Sequence, residues 1–143
     1  MRVDFYRLSR DPAGAVAALI ARNTLRLGKR LLVVAEGTER LAALSEALWS
    51  RGDAFLANGL AGQEHDARQP VLLSEQTAPA NGATFMALAD GVWREAEGFE
   101  RVFLIFDDVT VAAARDTWRQ LGQREGVERH FWKQDGSRWI EAG

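Results

Sequence analysis

Residues 31–35, Leu-Leu-Val-Val-Ala, are apolar at every position and lie between two stretches of helical periodicity, and no other feature of the chain restricts its fold as much. A strand with one solvated face alternates apolar and polar side chains, whereas a strand covered on both faces reads as a continuous apolar run. Residues 30–36 therefore predict a central strand. Upstream, Asp11 supplies an N-cap and Pro12 a first helical residue, Val16, Leu19, Ile20 and Leu27 share one face, and Gly28 suits the left-handed residue that ends a helix. Downstream, Thr38 can cap a helix that turns Leu41, Leu44 and Leu48 inward and ends within residues 49–52. Residues 3–8 alternate as a half-buried strand does, so the chain opens as β-α-β-α.

The pattern continues to the C-terminus. Residues 53–69 carry loop signals, Asn58-Gly59 and Gly62, with a short strand possible at 54–56. Strands are predicted at 70–74, 84–89 and 101–106, with a turn at 78–82 and a short segment around Trp93 between them. Thr110 opens a last helix containing Val111, Ala114, Trp118 and Leu121, which ends near Gly122 or Gly126 before residues 127–132 return as a strand. Parallel neighbours need crossover connections, so strands alternating with helices imply a mostly parallel sheet. The expectation is a three-layer α/β fold with helices on both faces, Rossmann-like, and one domain over residues 1–143, a length that suits a single core.

Composition removes several function classes. With 18 Lys+Arg against 20 Asp+Glu the formal charge is −2, so no global field attracts nucleic acid. There is no cysteine, which excludes disulfides, thiolate zinc sites and cysteine nucleophiles, and the only histidines are His65 and His130. The N-terminal residues lack a signal segment and no run of about 18 apolar residues occurs, so a cytoplasmic protein without a membrane span is expected. A phosphate loop fails on three counts around Gly28-Lys29: Asn23 takes the place of the first glycine, Arg30 that of the Ser or Thr, and the element order is helix to strand. Gly59-Leu-Ala-Gly62 lacks dinucleotide spacing, and neither histidine has a helical partner four residues away. No cofactor and no metal are expected. Residues 102–108 resemble the apolar strand and acid that hold magnesium water in ATPases, but an acid at a strand end also caps the helix that follows, and Asp107 or Asp108 is expected to do so before Thr110. The competing reading is a small enzyme acting on nucleotides or nucleic acid with Asp107 and Asp108 as its acids.

Five tryptophans in a chain this short are unusual, and most are expected in the core. Trp118 falls on the helical wheel between the inward stripe of Val111, Ala114 and Leu121 and the outward Arg115 and Arg119. Two arginines one turn apart beside a half-exposed ring can clamp a carboxylate while the ring takes an apolar side chain, which suits an acidic peptide with an aromatic end. The ordinary alternative is a solvated arginine face beside a core tryptophan.

Taken in order, Phe5-Tyr6-Arg7-Leu8, Gly28-Lys-Arg-Leu-Leu-Val33, the helix ending Ala47-Leu48-Trp49, Phe55, Gly59-Leu-Ala-Gly62, Pro70-Val71, Arg101-Val102, Ala114-Arg115 with Trp118-Arg119, and an aromatic strand near the C-terminus resemble the chi subunit family of bacterial DNA polymerase III. The chain departs from that family at Phe55-Leu-Ala-Asn58, where the family reads Phe-x-Pro-His. The resemblance implies a non-catalytic clamp-loader accessory subunit with a nucleotide-binding-like fold that lacks phosphate motifs. It also implies a link from the polymerase to the acidic C-terminal tail of single-stranded-DNA-binding protein, pairing with a psi subunit or a helicase, and contact with DNA only through partners. By the same resemblance Arg115, Trp118, Arg119 and Trp49 belong to the tail site, and Phe55 with Leu56 to the partner-subunit surface. Gly122 stands where the family has a further arginine, which predicts weaker binding of the tail.

Overall fold

A computed structural model describes residues 1–50 and 56–142. Its strands form one eight-stranded sheet in the order β3-β4-β2-β5-β6-β1-β7-β8. They are β1 (Arg2–Arg7), β2 (Leu31–Val34), β3 (Asn58–Leu60), β4 (Val71–Ser74), β5 (Phe85–Leu88), β6 (Arg101–Phe106), β7 (Glu128–Asp135) and β8 (Arg138–Ala142). Every pairing among β1 to β7 is parallel, and β8 alone runs antiparallel, against β7. The helices are α1 (Ala13–Arg26), α2 (Thr38–Ser50) and α3 (Val111–Gly122).

Alternation along the strands sorts the core into two layers, because successive side chains point to opposite faces. Leu31, Val33, Ala35, Ala87 and Ile105 pack with α1 and α2 on one face, while Phe5, Leu32, Val34, Leu88 and Leu104 pack with Ala114 and Leu121 of α3 on the other. The three-layer α/β expectation holds. The second face has a single helix, and its remainder is covered by the β5–β6 connection through Trp93, Ala96 and Phe99. On the first face α1 and α2 approach closely: a Cβ on Gly14 would lie 2.8 Å from Ala47 Cβ, so this crossing depends on the glycine.

Several local expectations are corrected. Pro12 takes the N-cap position without a side-chain cap, and the Asp11 carboxylate instead accepts a hydrogen bond from Gln134 Nε2 at 2.8 Å. Leu27 is 60% exposed, because the chain leaves α1 there. β3 lies at residues 58–60 where a loop was expected, paired to β4, and the strand suggested for 54–56 falls mostly outside the described residues. β8 was not predicted; Gly136, with φ of 65°, makes the turn that folds it onto β7. None of the five tryptophans is fully buried: Trp49 is exposed and the other four are half-buried.

One charged group is buried within this sheet. Asp4, on β1 between β6 and β7, is 0% exposed. Arg101 Nε donates to its Oδ2 at 2.7 Å, Arg2 Nη2 to its Oδ1 at 3.0 Å, and Trp132 Nε1 to Oδ1 at 2.9 Å. Burial pushes the Asp4 carboxyl up, but the hydrogen bonds from Arg101, Arg2 and Trp132 outweigh it and hold the group below the ordinary carboxylate range. Its native value is thus lower than its unfolded one, so its stabilisation is complete above about pH 4 and fades as the pH falls through the native value. Removing one partner of a buried ion pair costs about 3–5 kcal/mol. Because both arginines keep some hydration, Asp4→Asn is expected near the lower end, a loss of about 3 kcal/mol in urea unfolding at pH 7. The gap between variant and wild type should narrow steadily as the pH is lowered below about 4, and a gap that does not change with pH would assign the loss to packing and not to charge.

Candidate functional site

Over β6, β1 and β7 the single helix of the second face leaves a groove of about 300 Å³. Its floor is aromatic. Phe5 of β1 and Phe131 of β7 are register partners, and Phe106 of β6 completes the row, with ring centroids 6.5 Å from Phe5 and 5.9 Å from Phe131. Val111, Ala114, Arg115 and Trp118 of α3 form one wall, and Arg7 and Ala142 close the ends. The Trp118 ring meets Phe5 edge-on at 5.1 Å and Phe131 at 6.1 Å. Edge-to-face contacts of this kind fix ring orientation as well as burying area.

Two cations line this apolar slot. Arg115 makes no hydrogen bond or ion pair among the described residues, and its side chain is exposed. Arg7 donates from Nη2 to Asp108 Oδ1 at 3.1 Å, a contact between groups that are 37% and 88% exposed and so weakly held. Arg119, four residues further along α3 than Arg115, is not part of the groove lining and pairs with Asp116. The helix thus brings Arg115 and Trp118 to the groove and leaves Arg119 on its flank.

The start of α3 is set by a reciprocal lock. Asp107 Oδ1 accepts from the amides of Val109 and Thr110 at 3.0 and 3.1 Å and from the Thr110 hydroxyl at 3.0 Å, while Thr110 Oγ1 accepts from the Asp107 amide at 3.0 Å. A Cβ on Gly91 would lie 2.5 Å from Thr110 Oγ1, so glycine, with φ of 76°, is needed for the neighbouring loop to pack there. Asp107 therefore organises the turn ahead of α3 and does not cap the helix itself: Thr110 is the N-cap, without a side-chain cap bond, which corrects the capping expected of Asp107 or Asp108. Asp108 makes only the exposed contact with Arg7, and no cluster of three or more His, Asp or Glu suited to a metal occurs among the described residues. His130, on the other face of β7, lies between Glu128 and Glu141 at 2.5 Å from each, and hydrogen bonds to Glu128 and then Glu141 push its pKa up.

The family profile of the DNA polymerase III chi subunit, HolC, matches residues 1–129 of the 143. The chain belongs to the chi subunit family. No curated protein matches it. Membership makes the chain an accessory subunit of DNA polymerase III in replication. No helix among the described residues is long and apolar enough to cross a membrane.

Against the residues expected from chi resemblance, the structure divides the tail set. Arg115 and Trp118 share the groove, Arg119 flanks it, and Trp49 does not join them, because α2 lies on the opposite face of the sheet from α3. Leu56 is 4% exposed and packs in the core beneath α2, so its side chain is not a partner surface. Phe55 lies outside the described residues. Phe5, Phe106, Phe131 and Arg7 were not singled out for the groove; period-2 alternation puts Val3, Phe5 and Arg7 on one side of β1, but only the placement of α3 says that this side matters.

If Asp107 serves the turn, Asp107→Ala should lower the unfolding free energy by about 1 kcal/mol, the usual net worth of such a hydrogen bond. Asp107→Asn, which keeps the acceptor oxygen, should recover most of it. Urea denaturation followed by circular dichroism makes the comparison, and equal loss in both variants would mean that the carboxylate charge, not the turn geometry, matters.

Proposed function

We propose that this chi subunit ties the clamp-loader assembly of DNA polymerase III to the acidic C-terminal tail of single-stranded-DNA-binding protein, and that the groove between α3 and the β6-β1-β7 strands holds that tail. The observation that carries this reading is Arg115, a cation with no acidic partner among the described residues, standing at the rim of a slot floored by three phenylalanines. A peptide with a terminal aromatic residue and a free carboxylate matches both halves. Its ring replaces water over the half-buried Phe131 against the Trp118 wall, while its carboxylates meet Arg115 and compete with Asp108 for Arg7.

The role is one of connection and not of catalysis. In support, the one acid of the strand end nearest the groove is committed to backbone and hydroxyl donors and the next is paired with Arg7. A net charge of −2 favours contact with DNA through partners and not directly. A psi subunit, or a helicase in its place, is proposed to meet the region joining α2 to β3 through Phe55, without Leu56, and the complex is placed in the cytoplasm.

Charge-assisted hydrogen bonds contribute about 1.5–3 kcal/mol in favourable sites, so Arg115→Ala should weaken binding of a labelled acidic peptide ending in proline-phenylalanine about tenfold or more. Trp118→Ala should match that loss. Arg119→Ala should weaken binding only about two- to threefold, in keeping with an exposed flanking charge. Affinity should fall as salt rises, and deleting the terminal phenylalanine of the peptide should cost as much as removing Arg115. Fluorescence anisotropy reads all of these; equal affinity across folded variants would remove the groove as the tail site.

A further inference from the structure

Trp118 has a neighbour on the side away from the groove. The Arg129 guanidinium, reaching over from β7, lies 4.3 Å from the Trp118 ring centroid and donates from Nη1 to the Trp118 carbonyl at 2.8 Å. It has no carboxylate partner among the described residues. One residue explains why this space is free. A Cβ on Gly122 would lie 2.6 Å from Arg129 Nη1, 2.7 Å from Cζ and 3.0 Å from Nη2, so its three nearest neighbours all belong to that one guanidinium. Gly122 is helical and is not among the glycines of positive φ, so backbone conformation does not call for a glycine here.

We infer that Arg129 is a positioning residue for the groove: stacked on Trp118 in the space that Gly122 leaves open, it holds the indole upright as the wall against which an aromatic ligand packs. The inference rests on the groove being the peptide site. A guanidinium over an indole face is attracted by the ring quadrupole, and the bond to the Trp118 carbonyl fixes the guanidinium to the same helix turn. Phe5 and Phe131 meet the ring edge-on, so the three contacts together leave it one orientation. Without Arg129 the indole can swing toward solvent and the slot widens.

Gly122→Ala separates this role from plain stability. The clash it introduces is with the far end of a flexible side chain, so the fold tolerates it, and alanine is the better helix former. The variant should keep or raise the thermal midpoint and yet bind the acidic proline-phenylalanine peptide about threefold to tenfold more weakly. Arg129→Gln should lose affinity to the same extent, and the double variant should lose no more than either alone, because both act on one contact. Labelling with 5-fluorotryptophan gives a readout that needs no peptide: the Trp118 fluorine resonance, assigned by Trp118→Phe, should shift in both variants. Unchanged affinity of Gly122→Ala and Arg129→Gln alongside normal wild-type binding would overturn the inference while leaving the groove reading intact. A wild-type protein that binds no peptide, even with the fluorine shift present, would overturn the groove reading and the recognition role of Arg129 with it.

Discussion

The buried Asp4 carboxylate is the fixed point of the molecule. It lies on β1, the strand with β6 on one side and β7 on the other, and draws its donors from Arg2 on its own strand, Arg101 on β6 and Trp132 on β7. A buried charge tolerates no missing partner, so the three strands are bound to one register. Register in turn decides faces, because a slip of one residue turns every side chain over. With Asp4 inward toward α1 and α2, Phe5 must face α3, and its register partner Phe131 must face the same way. The aromatic floor of the groove is the reverse side of the ion cluster.

The division of labour between the two faces follows from helix count. Two helices cover the first face and pack closely enough to need Gly14 opposite Ala47. On the second face α3 alone spans β6, β1 and β7, and a loop carrying Trp93 and Phe99 covers the rest. A single helix cannot seal three strands, and the unfilled strip beside it becomes the groove. Its polar features are borrowed from chain ends and turns: Arg7 at the end of β1, Arg115 on the outward side of α3, and Asp108 in the turn that Asp107 organises.

Much of this architecture can be read from the amino acids. The continuous run at 31–35, the five-residue run at 102–106 and the periodic helices around them define a parallel sheet layered by helices, since few other folds bury such strands on both sides. The edges are less legible. β3 contains Asn58-Gly59, residues of turns, and forms because β4 offers it an edge; β8 mixes Arg138 and Glu141 with Trp139, Ile140 and Ala142 and forms because Gly136 returns it to β7. In the groove, Arg115 and Trp118 were visible from helical spacing, because i and i+3 positions share a side. Their partners Phe5, Phe106 and Phe131 come from three strands spread over 126 positions of sequence, and no local pattern joins them. Trp49 and Leu56 show the opposite failure: matching positions suggested a shared surface, and the sheet between α2 and α3 or burial beneath α2 prevents it.

The strand order also bears on how the chain is made. β1 leaves the ribosome first, yet its partners are β6 and β7, Arg2 pairing with Arg101 and with Glu128. At about 5–20 residues per second, roughly 5–25 s of synthesis separate the strand from its neighbours. During that interval β2, β4 and β5 have their mutual pairings available, while Val3, Phe5 and Tyr6 wait with both edges open and Asp4 still in water. Of these strands β1 is therefore the one left longest without its partners, and the step that completes the sheet is the threading of an early strand between two late ones.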